Sequence, residues 1–352
     1  MKFTLNWLKD HLDTDADLPT ILDTLTMVGL EVEEVTNPAD SLSGFMVAEI
    51  VEAERHPDAD KLQVCKVETG NGVLQVVCGA PNARAGLKIA FAPIGATVPA
   101  SGFKLKQVEI RGVQSNGMIC SAEELNLGEA SDGIMELDEA LETGSPLASS
   151  LGVDDPVIEI AITPNRPDCL GVYGIARDLA AAGIGTLKSG AVESIKGAFE
   201  TPVSISVDYS GDGAACSAFA GRLVRGVKNG PSPEWLQKRL TAIGLRPINA
   251  LVDITNYISY DRARPLHVYD ADKLNGGLKA RPGKKGETFE GLDEAEYGVD
   301  ESMCVIADDS AVLGLGGVLG GTSSGSTQET VNVVIEAAMF DPISIATTGR
   351  KL

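Results

Sequence analysis

Apolar positions change their period several times along this chain, and each change predicts a different element. Between Asp17 and Gly29, Leu18, Ile21, Leu22, Leu25 and Val28 recur at helical spacing and form one stripe. Asp17 stands where a side chain caps a first turn, Pro19 lies near that turn, and Gly29 follows the last. LEVEEV then takes strand character, so residues 1–38 read as a small α/β segment. NPADSLSG (Asn37–Gly44) is rich in turn formers and marks a boundary. From Phe45 the period falls to two. In MVAEIVEAE, Met46, Ala48, Ile50 and Ala53 share a face; HPDADKL reads as a turn, LQVCKVETG as a strand, Asn71-Gly72 as a hairpin signal and VLQVVCGA as the next strand. Such short strands over residues 39–150 predict a small β-barrel of the OB type.

Residues 151–190 return to α/β character: PVIEIAI alternates, and a helix is predicted from about Leu170 to Ala182, capped by Asp168 and followed by Gly183. Residues 185–202 read as a linker. From residue 203 onward VSISVDY and Phe219–Val227 predict strands. SPEWLQKRLTAIG predicts a helix with Ser232 as cap, Pro233 in first position, and Leu236, Leu240 and Ile243 buried. VIADDSAVLGL predicts a hairpin and VNVVIEAAMF (Val331–Phe340) a strand. A helix beginning at Asp341–Pro342 stops in mid-pattern at Leu352, which predicts a truncated chain. The expected fold class is multidomain α+β: two small α/β segments on either side of an OB-fold β-barrel, then a mixed α+β domain over 203–352.

Composition narrows the class. With 43% hydrophobic and 22% charged residues, the chain of 352 residues has the makings of folded cores rather than disorder. No apolar run reaches the ~18 residues of a membrane helix, and MKFTLNWLKDHLD lacks the apolar core of a signal peptide. The six cysteines (Cys65, Cys78, Cys120, Cys169, Cys216, Cys304) form no C-x-x-C pair and have no histidine at ligand spacing. That pattern argues against zinc, or any metal site, and against a disulfide framework, and predicts a reducing cytoplasm. A net charge of −21 speaks globally against nucleic acid, DNA included. Locally, Arg84, Lys88, Lys104, Lys106 and Arg111 stand with one acid, Glu109, between Asn71 and Cys120, and Cys216–Glu290 is also net basic. These windows fit either a nucleic-acid face or ordinary surface variation.

The stretch Arg246–Asp270, RPINALVDITNYISYDRARPLHVYD, gathers Thr255, Asn256 and His267, with Arg262, Arg264 and Pro265 just before the histidine. The chain has only three histidines. Downstream come GLGGVLGG (Gly314–Gly321) and the apolar-flanked Glu336. A histidine, an amide, a hydroxyl, a close-approach backbone and a carboxylate are the ingredients of a small hydrolytic or binding pocket. The same residues also serve caps and turns, and alternation alone does not say whether Glu336 faces inward. GLGGVLGG lacks the GK[ST] ending of a phosphate loop.

Three ordered motifs, HPDADKL (His56–Leu62), CGAPNARAG (Cys78–Gly86) and RGVQSNGMICSAEEL (Arg111–Leu125), resemble the tRNA-binding OB module appended to several synthetases. TPNRPDCLGVYGIARDLAA and MKFTLNWLKDHLD resemble segments of the bacterial phenylalanyl-tRNA synthetase β subunit family, and the order of parts is similar. The resemblance implies that the segments 1–38 and 151–190 form one domain around the inserted module, and that 203–352 is an editing domain hydrolysing tyrosine wrongly attached to tRNA(Phe). It implies Glu336 as reader of the tyrosine hydroxyl, with Gly317 and Arg246 binding substrate. It further implies Thr255 and Asn256 lining the pocket and His267 near the scissile ester, as base or as orienting group. Lys88, Lys104, Lys106 and Arg111 are the candidate tRNA contacts. The implied partners are tRNA(Phe) and an alpha subunit in an α2β2 ligase. ATP and magnesium would be held by that alpha subunit and no cofactor by this chain. A scaffold that binds or assembles without catalysis is the other reading.

Overall fold

The computed structural model describes residues 1–128, 133–188, 190, 192–209 and 214–352. Parts of the expected barrel segment (129–132) and linker (189 and 191) therefore lie outside the described residues. The chain forms two compact units, Met1–Glu34 with Ile158–Leu352, and Val35–Val157.

In the first unit, Val157–Ile160 is the middle strand of a three-stranded sheet, between Lys2–Thr4 and Val32–Thr36. Helices Leu5–His11, Leu18–Met27 and Val172–Ala181 bury Trp7, Leu8, Ile21, Leu25, Ile175 and Leu179 against Phe3, Ile158 and Ile160. The Asp17 carboxylate accepts from the Thr20 N–H, so this helix starts as its sequence predicts. Two other caps differ. Helix Val172–Ala181 opens at Gly171 with no side-chain cap, because Asp168 is engaged by Arg166 and Arg177. Helix Glu234–Ala242 opens at Pro233, because the Ser232 hydroxyl donates to Asp253 at 2.5 Å. In both cases a buried or ionic partner outcompetes the local backbone N–H.

Helices Glu234–Ala242 and Ala250–Arg262 pack toward the N-terminal core: Tyr257 stacks on Trp7 at 5.1 Å between centroids, and Ile243 joins the same cluster. Beyond them lie two sheets. One runs Ile205–Val207, Leu278–Pro282, Cys304–Ala307, Val312–Leu315, Leu319–Gly320; the other places Asn332–Phe340 between Cys216–Arg225 and His267–Asp270. Cys216, Tyr269, Leu278, Cys304, Ile306, Leu313 and Val334 fill a core that draws on both sheets.

The second unit is built on one sheet with the path Gly117–Ile119, Lys88–Pro93, Met46–His56, Ala59–Glu68, Val73–Cys78, with Glu136–Leu137 also pairing Lys88–Pro93. The first half of strand Met46–His56 is buried on both faces: Ala48 and Ile50 enter one cluster and Val47 the other. The predicted turn HPDADKL is shorter than expected: His56 ends this strand and pairs with Ala59 of the next, only Pro57 and Asp58 turn, and His56 Nδ1 accepts from the Asp58 N–H at 3.1 Å. Among the described residues no strand ladder joins the two ends of this path, so the ladder does not close into a barrel. The chain is a mixed α+β protein of several separate sheets.

Candidate functional site

The antiparallel register sets His267 directly opposite Glu336. Alternation along a strand returns Tyr269 to the face of His267, and its hydroxyl donates to Glu336 Oε2. The rings of His267 and Tyr269 meet edge-on at 4.5 Å. A cavity of about 450 Å³ opens beside them, walled by Arg264, Pro265, His267, Tyr269, Glu336 and Phe340 together with the backbone of Gly314–Gly320. The glycines let that backbone come close. A Cβ on Gly317, whose φ is +71°, would lie 2.9 Å from the Phe340 ring, and one on Gly320 would lie 2.5 Å from His267 Cε1.

The electrostatics of the site follow from burial. Burial pushes the Glu336 carboxyl up from its ordinary range, and the hydrogen bond from Tyr269 opposes that rise. Burial, and then the neighbouring Glu336, push the Tyr269 phenol well above its ordinary value. Burial alone takes His267 down to about 4, so at neutral pH its imidazole is uncharged and can accept a proton. Its Nε2 is enclosed and has no hydrogen-bond partner among the described residues. The pocket thus offers a buried carboxyl and a neutral imidazole on paired strands, and a close backbone that turns at Gly316–Val318.

His267, Glu336 and Gly317 come together in this wall, as do Arg264 and Pro265. Thr255, Asn256 and Arg246 are not among its lining residues. The Thr255 hydroxyl is buried and donates to Val252 O at 2.8 Å; Asn256 is half-buried on the same helix, and Arg246 is exposed between helices. The sequence does not single out Tyr269: its two-residue spacing from His267 signals a shared strand face but not its bond to Glu336.

In the other unit, Lys88 is held inward, donating to Glu49 at 2.8 Å and to the Thr143 hydroxyl. The Arg111 guanidinium donates to the Asp58 carbonyl at 2.8 Å. Lys104 and Lys106 are exposed, and Lys106 borders a groove of about 460 Å³ that also carries the exposed Phe103. Asp168, Cys169 and Asp178 have ligand atoms close enough for a cation, but Arg166 reaches all three and Arg177 reaches both carboxylates, which supplies the positive charge.

Residues 45–146 match the family described as a putative tRNA binding domain, and residues 215–352 match the B3/4 domain family. The chain thus combines a tRNA-binding type of module with a B3/4 domain that carries the cavity. Its whole length is 57% identical over 353 residues to the Phenylalanine--tRNA ligase beta subunit of Paramagnetospirillum magneticum and 56% identical over 354 residues to that of Rhodopseudomonas palustris. The chain belongs to the phenylalanine--tRNA ligase beta subunit family, and it spans 44% of the length of these two relatives. An N-terminal fragment of the phenylalanyl-tRNA synthetase beta subunit from Pyrococcus horikoshii aligns over 56% of this chain and 61% of its own, at 16% identity and a TM-score of 0.32.

Proposed function

We propose that this chain serves phenylalanine attachment to tRNA(Phe) as part of a beta subunit, and that its B3/4 region removes tyrosine attached there in error. The segments 1–38 and 151–190 would form one domain around the inserted module 39–150, followed by the editing domain 203–352. The observation that carries the editing reading is the Glu336 carboxylate, 7% exposed, in the wall of a cavity beside a neutral histidine. A pocket shaped for phenylalanine rejects an added hydroxyl only by about a hundredfold. A second site must therefore recognise that hydroxyl positively. A buried carboxylate does so, because a phenol satisfies it and a phenyl ring leaves it dry and unpaired.

The reaction is hydrolysis of an aminoacyl ester. Water adds to the ester carbonyl, the bond to the ribose oxygen breaks, and tyrosine and free tRNA leave. His267 lies where an uncharged imidazole can take the proton from that water or orient it, and the Gly314–Gly320 backbone supports the substrate. Thr255, Asn256 and Arg246 would contribute from the helix and loop that precede the wall.

In the other unit we assign an OB-type arrangement that meets tRNA through Lys104, Lys106 and Phe103. The Asn116 N–H donates to Gln75 O at 2.9 Å, bringing the last strand of the path beside the first, as a closing barrel requires. The working enzyme would be a cytoplasmic α2β2 ligase whose alpha subunit holds ATP and magnesium. The alternative is a non-catalytic scaffold, favoured by the −21 charge and by the placement of Thr255, Asn256 and Arg246 off the cavity wall. Deacylation of tyrosyl-tRNA(Phe) separates the two. The editing reading expects selective release of tyrosine over phenylalanine, lost in Glu336→Ala and reduced in His267→Ala. Absence of both release and tyrosine binding establishes the scaffold.

A further inference from the structure

Glu336 already holds a phenol before any substrate arrives. The Tyr269 hydroxyl donates to Oε2, whereas no group among the described residues donates to Oε1, which belongs to a residue lining the cavity. We propose that Tyr269 is a positioning residue for hydroxyl recognition: it fixes one oxygen of Glu336 and leaves the other as the acceptor for the para-hydroxyl of a bound tyrosyl group. This rests on the editing reading above and sharpens it.

The surroundings of Glu336 give Tyr269 that role. The groups that face it from the three neighbouring strands carry no positive charge at neutral pH. On one side stand His267 and Tyr269, on the other Gly221, with the Cys216 thiol on the same strand and the Cys304 thiol on the adjoining sheet. Burial holds His267 uncharged, pushes Cys216 up to about 11 and raises Cys304. Arg264, the cation of the cavity wall, is exposed and is not hydrogen-bonded to Glu336. Among the described residues the Tyr269 phenol is therefore the one donor that favours the ionised, acceptor-only form of this carboxylate. It also removes rotational freedom, because a carboxylate anchored at one oxygen presents the other in a fixed direction. Without it, burial favours the protonated acid, which is itself a donor and no longer demands a hydroxyl partner.

The test uses the 352-residue chain, with Tyr269→Phe retaining the ring and Glu336→Gln assigning the signal. The Glu336 carboxyl is titrated by carbon-13 NMR, and binding of L-tyrosine and L-phenylalanine is measured across the same pH range. In Tyr269→Phe the titration midpoint is expected to rise by about one unit, the scale of a charge-assisted hydrogen bond. The preference for tyrosine at neutral pH is expected to fall by about tenfold and to recover as pH rises. An unmoved midpoint with an unchanged preference overturns the proposal. A moved midpoint in a chain that never prefers tyrosine, with or without Glu336, also overturns it; in that case the editing reading has failed and the Tyr269–Glu336 pairing stands as structure.

Discussion

Asp261 and Glu336 are carboxylates buried in the same unit of the chain, at 3% and 7% exposure, and their surroundings treat them in opposite ways. Asp261, near the end of helix Ala250–Arg262, accepts from Trp7 Nε1 at 2.8 Å, contacts His11 Nε2 at 2.6 Å and meets Arg262 Nε at 2.8 Å. Burial works to raise its pKa, but the bonds from His11 and Trp7 and the charges nearby outweigh it and hold the carboxyl below its usual range. Among the described residues Glu336 has one donor, Tyr269, and burial wins, so its carboxyl sits above its usual range. A carboxylate with its lone pairs occupied ties a helix to a core. One left partly unsatisfied beside a cavity costs stability and is available to a ligand.

The largest effect separating the two is on folding. Asp261→Ala leaves a buried indole N–H and an imidazole without their acceptor, and breaking such a buried pair costs about 3–5 kcal/mol. Denaturant unfolding is expected to show a loss of that size. At low temperature the surviving folded chain should keep any tyrosine binding, because Asp261 is not among the cavity-lining residues. Loss of tyrosine binding from a demonstrably folded Asp261→Ala chain would end the contrast.

That division of roles was only partly written in the sequence. Elements with strong local signals were legible: the Asp17-capped helix became Leu18–Met27, and VNVVIEAAMF became Asn332–Phe340. Local reasoning failed where a distant partner intervened. Ser232 and Asp168 have cap chemistry, but Asp253 and two arginines claim them. The facing of Glu336 was illegible for a related reason. Val333 and Val334 are both buried, so alternation distinguishes no solvent side in this strand. The composition of the pocket was legible in its residue types, because His267, Gly317 and Glu336 meet in one wall. Its completion by Tyr269 was not, since the hydrogen bond spans 67 positions and depends on strand register. Helix Ala250–Arg262 shows the converse. Thr255 and Asn256 are close to His267 in sequence, yet the helix packs Tyr257 on Trp7 and turns the Thr255 hydroxyl onto its own backbone.

His267 allows a second separation, read in pH. Burial holds its folded-state value at about 4, whereas an unfolded chain binds the same proton near ~6.5. As acid is added the unfolded chain takes up its proton first, so stability falls as pH drops from ~6.5 toward about 4 and is fully present above that window. The full contribution is about 3 kcal/mol, of which about 2 kcal/mol is lost by pH 4.5. His267→Gln is expected to remove it: the stability difference between variant and parent should shrink between pH 7 and pH 4.5 by roughly that amount. An unchanged difference would mean that water reaches the imidazole and that the site is wetter than its burial indicates.

The smallest expected change in stability is at Glu336 itself, and it is the most informative about role. Its folded-state pKa is raised, so its contribution to stability is present below the unfolded value of ~4.3 and is lost as pH rises through the folded one. Once ionised, the carboxylate is therefore a liability to the fold. Glu336→Gln keeps the shape, keeps an oxygen to accept from Tyr269, and removes the buried charge. Stability at pH 7 is expected to stay within about 1 kcal/mol of the parent or to rise. The same substitution exchanges a charged acceptor for a neutral amide, so the preference for tyrosine over phenylalanine should fall by about tenfold. A residue retained for packing alone would show the reverse, with stability lost and selectivity untouched. Asp261→Asn, which strips charge from a carboxylate holding His11 and Arg262, should lose stability where Glu336→Gln does not.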